Sequence, residues 1–249
     1  MEIVRYTRHM LNYSEIKHNK RELLALTGLT IKEFQMILPA FDVAYRRLYE
    51  SELTHEGTPR KRKPGAGRGS SLDSSEQKLL FMLVYHKAYP IQAVQGALFG
   101  MSQTSASFWI HRLMPVLKEA LTELGFMPER EGALLAESES AQDERPDYVI
   151  DGTERRRQRP KDAEKQVSHY SGKKKQHTDK NIVVSQTQTG RVAYLSPTRP
   201  GTVHDKKLAD EEQITFPKES TVHKDTGFQG YEPDVKLTLQ PKKSQKARS

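Results

Sequence analysis

The chain contains no cysteine. Disulfides and cysteine-ligated zinc fingers are therefore excluded, and the composition fits a reducing compartment. No apolar run reaches the length of about 18 residues that a membrane-spanning helix needs. The opening "MEIVRYTRHM" has no apolar h-region. A soluble, cytoplasmic protein without a membrane partner is expected. Apolar residues are scarce as well: 35% of the 249 residues are hydrophobic and mean hydropathy is −0.77. That is lean for one large core, so two modest domains with exposed helices and linkers are expected. The net charge is +8, with a pI near 9.4. A basic protein suggests a polyanion partner, although many basic proteins bind none.

Two stretches read as solvated connections. "RKRKPGAGRGS" (Arg60 to Ser70) is basic and rich in Gly and Pro. "ESESAQDERPD" (Glu137 to Asp147) is acidic and polar. No internal repeat is present. The N-terminal region, 1–59, reads as helical. Thr30 and Glu33 form a capping box, and Ile31, Phe34, Ile37, Leu38 and Phe41 follow at helical spacing. Pro39 lies inside this pattern and predicts a kink or break.

A second helical module spans 72–126. Asp73 and Glu76 are positioned to cap a helix carrying Leu79, Leu80, Leu83 and Val84, which stops near Tyr89. A short helix from about Pro90 to Leu98 stops at Gly100. Ser102 caps a third, with Ala106, Trp109, Ile110, Leu113, Leu117 and Leu121 on one side and a possible bend at Pro115. Helix, short helix, tight "FGMS" turn and helix form a helix-turn-helix pattern. In such modules the second helix of the motif lies in the major groove. Gln103, Ser107 and His111 fall on its polar face, and Gln suits adenine. A trihelical packing unit with an ordinary polar face has the same pattern. The basic run Arg60, Lys61, Arg62 and Lys63 favours DNA, since such residues bind phosphates and can enter a minor groove.

After Pro146 the period changes. Tyr148 to Ile150, Asn181 to Ser185 and Arg191 to Leu195 are β-rich, and the last two flank the hairpin turn "QTQTG". His204 to Ile214 reads as a helix. Thr221 to Lys224 leads into "DTGFQG". Asp151 ends one expected strand and Asp225 ends another, 74 residues later. Phosphoryl transfer through two metals needs acidic oxygen ligands around ions roughly 3.5–4 Å apart, and magnesium suits oxygen ligands. Each aspartate is equally a good turn former, and the chain has 32 acids. His204 and Asp205 are a further candidate pair, although Asp205 also fits as a helix N-terminal acid. Asp179 is expected on the surface. Between Arg155 and Lys180 stand ten lysines and arginines. Among them Arg155, Arg156, Arg157, Lys173, Lys174 and Lys175 are candidate phosphate contacts; a solvated face paired with Asp162 and Glu164 is the bland reading.

These residues carry a resemblance. "VIDGTERRRQRPKDAEKQVSHYSGKKKQHTDKNIVV", "LSPTRPGTVHDKK" and "DTGFQGYEP" resemble DDE-superfamily transposases of bacterial insertion sequences, family five. "LTGLTIKEF" and the stretch from "LDSSEQKLLF" to "HRLMPVL" resemble that family's N-terminal helix-turn-helix region. The likeness covers roughly residues 22–243. It implies an α+β chain: an all-α helix-turn-helix region, then a ribonuclease-H-like α/β catalytic domain over 147–243. It implies Asp151 and Asp225 as the first two catalytic, metal-binding acids, with magnesium or manganese as cofactor. The implied reaction is nicking of double-stranded DNA at transposon ends, then strand transfer into target DNA. The implied assembly is a homo-oligomer or a co-assembly with full-length transposase, in the nucleoid.

The chain also departs from that pattern. The family's third acid is a glutamate on a later helix, and no Glu here matches it; Glu232 lies in the turn "GYEP". The fifth strand and closing helices are expected to be absent, leaving an incomplete domain, an unpaired sheet edge and a chain inactive by itself. Where relatives resemble "PKK-x-PKGKELT" this chain reads "PKKSQKARS", which a one-base slip on an A-rich run can produce, so 244–249 is expected to be out of frame. The alternatives are a non-catalytic DNA-binding regulator or inhibitor of transposition, and an adaptor that binds no DNA. The remaining expected boundaries are a basic linker at 60–71 and an acidic linker at 127–146.

Overall fold

The computed structural model describes residues 10–50, 58, 72–138 and 146–241. Arg60, Lys61, Arg62 and Lys63, and the tail 244–249, lie outside the described residues. The architecture is α+β, in two compact units, 1–126 and 127–249.

The first unit is helical: α1 Tyr13–Ile16, α2 Lys20–Thr27, α3 Ile31–Tyr49, α4 Ser75–Ala88, α5 Gln92–Leu98 and α6 Gln103–Glu123. The expected capping box is present. Glu33 N donates to Thr30 Oγ1 at 3.3 Å, and Thr30 N donates to Glu33 Oε2 at 2.6 Å. Pro39 does not break α3, which runs on to Tyr49. Phe34 and Ile37 on one side of it, and Phe41, Ala44 and Tyr45 on the other, are all buried. Packing on both sides outweighs the one backbone bond that proline forfeits. The cap of α4 is Ser74, between the two acids expected there; its Oγ accepts from Gln77 N at 3.1 Å. Leu79 through Val84 are buried in succession, as befits a helix surrounded by others. Each side chain so buried contributes about 1.5–3 kcal/mol. The N-terminal helices and the helix-turn-helix share this one core. Among the described residues no single helix is long and apolar enough to cross a membrane.

The turn between α5 and α6 is tight. Met101 N donates to Gly96 O at 2.8 Å, and Gly100 has φ +66°. A Cβ on Gly96 would lie 2.7 Å from Met101 O, so only glycine fits. Ser102 caps α6 as expected, accepting from Ser105 N at 3.1 Å.

The second unit is built on a mixed sheet: β1 Asp147–Arg156, β2 Tyr170–Ser171, β3 Gln176–Gln186, β4 Val192–Leu195, β5 Arg199–Pro200, β6 Thr221–Lys224 and β7 Leu237–Leu239. The order is β2-β3-β1-β6-β7, with β4 and β5 also on β3. Helices α7 Ala163–His169 and α8 Asp205–Glu211 accompany it. The expected β3–β4 hairpin and the α8 helix are present. Tyr148, Ile150, Ile182, Val184 and Val222 bury one face with Leu208, Ala209 and Phe228.

Three expectations are corrected. β1 does not end at Asp151 but continues to Arg156, because β3 pairs with it as far as Arg156 with Thr178. The fifth strand, expected to be absent, is present: β7 pairs in parallel with β6 and covers the edge expected to be unpaired. Residues 127–138 are not free linker. Glu129 N donates to Ala193 O at 2.8 Å, and a 3-10 helix, Gly132–Glu137, carries fully buried Leu135.

Candidate functional site

β1 and β6 run in parallel and in register from Asp147 with Thr221 to Ile150 with Lys224. One step further are Asp151 and Asp225. The backbone at Asp225 is still extended, with φ −83° and ψ 179°. Neighbouring strands lie about 4.8 Å apart, so the two aspartates flank each other although 74 residues separate them. Alternation puts Asp151 on the face opposite buried Ile150. Both carboxylates are exposed, and neither has an ion pair among the described residues.

Each carboxylate is held by a following glycine. Gly152 N donates to Asp151 Oδ1 at 2.8 Å, and Gly227 N donates to Asp225 Oδ1 at 2.7 Å. The second is the Asx turn that "DTG" encodes. Gln240 Nε2 donates to Asp225 O at 2.5 Å.

The basic residues differ in their partners. Arg155 shares the face of Asp151. It donates to Asn181 Oδ1 at 2.8 Å and Thr198 Oγ1 at 3.2 Å. Both partners are neutral, so its charge stays uncompensated. Asn181 is buried, and its amide also donates to Ser196 O at 2.8 Å. Arg157 is instead paired with Asp179 at 2.8 Å. Arg156, Arg157, Gln158, Arg159, Gln176 and His177 line a cleft of about 480 Å³. Lys173, Lys174 and Lys175 are exposed in the β2–β3 turn.

The description "DDE superfamily endonuclease" fits a family model that matches residues 150–249, and "Helix-turn-helix of DDE superfamily endonuclease" fits one that matches residues 70–123. The chain belongs to the DDE endonuclease superfamily. Comparison with curated proteins and with solved structures gives no match.

In this DDE-superfamily chain the helix-turn-helix implies DNA binding. Gln103 and His111 are exposed on α6 and Ser107 is half-buried, away from buried Ala106 and Ile110. His111 Nδ1 is 2.8 Å from Ser107 O. Phe108, 56% exposed, stands on the same helix and was not legible as surface from the spacing of apolar residues alone. Arg112 stacks on Tyr49 with its guanidinium 3.8 Å from the ring centroid.

The superfamily generally uses divalent metal ions. Two adjacent exposed carboxylates without a cationic partner are the hard oxygen donors such ions prefer, so the residues fit. No group of three or more His, Cys, Asp or Glu side chains is arranged for a metal among the described residues. Glu232 is paired with Lys224 at 3.2 Å.

Sequence reasoning missed one cluster. Lys180 on β3 is 6% exposed. Its Nζ lies 2.9 Å from Asp205 Oδ1 and 3.4 Å from Glu154 Oε1, and donates to Val203 O at 2.8 Å. Burial pushes the Glu154 carboxyl up. Hydrogen bonds from Ser171, Thr178 and Lys180, with the Lys180 charge, outweigh this and hold it below the ordinary value. Register of Glu154 with Lys180 creates the cluster; nothing local in either stretch marks it.

Proposed function

We propose that the chain is an insertion-sequence transposase protein that binds double-stranded DNA through its helix-turn-helix and holds divalent metal, magnesium or manganese, with Asp151 and Asp225. The observation that carries this reading is the register that brings the two aspartates side by side at the end of the parallel pair. Divalent metal held by these two carboxylates would polarise the scissile phosphate and activate the attacking oxygen. Asp151 and Asp225 supply the carboxylates. Arg155, oriented by Asn181, donates to a neighbouring phosphate oxygen. Gln103, Ser107 and His111 face the bases, and Arg156, Arg157, Lys173, Lys174 and Lys175 face the backbone. In the nicking step a water oxygen bonds to phosphorus, the bond to the 3′ oxygen breaks, and that oxygen leaves as a hydroxyl. In strand transfer the freed 3′-hydroxyl attacks a target phosphate and displaces another 3′ oxygen.

A second reading is a DNA-binding regulator that occupies transposon ends with or without full-length enzyme. It is favoured by the helix-turn-helix match over residues 70–123, which implies DNA binding independently of the aspartate pair. Supercoiled plasmid incubated with the 249-residue protein and manganese separates the readings. Nicking lost in Asp151→Asn supports the enzyme. Salt-dependent DNA binding without nicking, and inhibition of full-length transposase, supports the regulator. No salt-dependent binding overturns both.

A further inference from the structure

We propose that Asp205 is a positioning residue for both site aspartates, buttressing the two glycine turns that hold them. This rests on the reading of Asp151 and Asp225 as a metal-binding pair. Asp205 opens α8, on the opposite side of β1 from the Asp151 carboxylate. A Cβ on Gly152 would lie 2.5 Å from Asp205 Oδ1, and a Cβ on Gly227 would lie 2.7 Å from Asp205 Oδ2. Real side chains do not approach so closely, so the Asp205 carboxylate sits directly on the backbone at both positions. These are the same two glycines whose N–H groups donate to Asp151 Oδ1 and Asp225 Oδ1. One carboxylate therefore touches both turns at once, and the Cβ that Gly227 lacks would stand 3.0 Å from Asp225 Oδ1 as well.

Asp205 is itself held. Lys180 grips it at 2.9 Å, and Lys180 is anchored in turn by Val203 O and Glu154. A third carboxylate beside two others is unfavourable on its own; the buried ammonium offsets that. The chain of contact runs from β3 through Lys180 and Asp205 to the turns at Gly152 and Gly227. Productive metal geometry tolerates errors of only about 0.5 Å. Loss of a supporting contact behind metal ligands typically costs 10–100-fold in affinity.

The test uses the 15N-labelled 249-residue protein. Amide exchange is followed in metal-free protein at Gly152, Gly227 and, for reference, Gly190, whose N–H bonds Gln186 O in the β3–β4 turn. Manganese affinity is then measured by calorimetry. In Asp205→Ala, Gly152 and Gly227 are expected to exchange about tenfold faster while Gly190 is unchanged, and manganese affinity is expected to fall about tenfold. Asp205→Asn keeps the volume and serves if the alanine variant does not fold. Wild-type exchange at the two glycines in a folded variant overturns the proposal, as does unchanged manganese affinity. Equal acceleration at Gly190 overturns it too, because it reports general loosening. If the wild-type protein binds no manganese, the metal-pair reading fails, and amide exchange still decides the positioning claim.

Discussion

Asp151 and Asp225 stand one step beyond Ile150 and Lys224, the last pair in the parallel ladder of β1 and β6. Two like charges on neighbouring strands repel, by roughly 0.2–1 kcal/mol in such cross-strand positions. Asp151→Asn is therefore expected to raise metal-free stability by about that amount. The same variant is expected to lose manganese binding. Thermal melts with and without manganese measure both; a variant less stable than wild type without metal contradicts the argument.

Arg155 is a cation with neutral partners on the face of Asp151. Its replacement by Ala is expected to weaken DNA binding similarly for all sequences. The slope of log affinity against log salt should fall by about one. Fluorescence anisotropy over a salt series reads the slope, and an unaltered slope removes Arg155 from the interface.

Gln103 lies exposed in the first turn of α6. If it reads a base, Gln103→Ala should relax discrimination at a single base pair by about 1–3 kcal/mol. Binding selection from a randomised duplex pool, compared with wild type, shows this as one degenerate position. Uniform weakening at every position would instead mark Gln103 as a phosphate contact.

Gly96 faces Met101 O, where a methyl group has no room. Gly96→Ala is expected to destabilise the first unit by about 1–3 kcal/mol, since the neighbour is backbone and cannot yield without moving the turn. Urea denaturation tests this. A neutral result would show that the α5–α6 turn is looser than its hydrogen bond from Met101 N to Gly96 O suggests.

Glu154 titrates below the ordinary carboxylate value of 4.5 in the folded protein. A depressed folded pKa stabilises the protein above the unfolded pKa, and the gain disappears as pH falls through the folded pKa. Glu154→Gln is thus expected to cost about 1–2 kcal/mol near neutrality. The difference from wild type should close as the medium is acidified below 4.5. Denaturant melts at several pH values give the curve, and a gap that widens on acidification would reverse the assigned sign.

The helical unit was legible because its signals are local. Thr30 with Glu33, Ser102 before an apolar stripe, and Gly100 after a short helix act within a few residues. Where a non-local effect intervened, local reading slipped. Pro39 predicts a kink or break, yet α3 runs unbroken past it, with Phe34 and Phe41 buried on either side. Asp151 predicts a strand end, yet pairing of Thr153 with Asn181 and Arg156 with Thr178 extends β1. β7 is three residues long with exposed Leu237 and Leu239, too short to show a period.

By itself the sequence determined that this chain has helix caps, a helix-turn-helix turn and two aspartates each followed by a glycine within two residues, because backbone geometry at those points depends on near neighbours. Only the tertiary structure decided that Asp225 stands beside Asp151, that Asn181 orients Arg155 and that Asp205 rests on both Gly152 and Gly227. Those relations are set by strand register and by helix placement on the sheet, which join segments far apart in the chain.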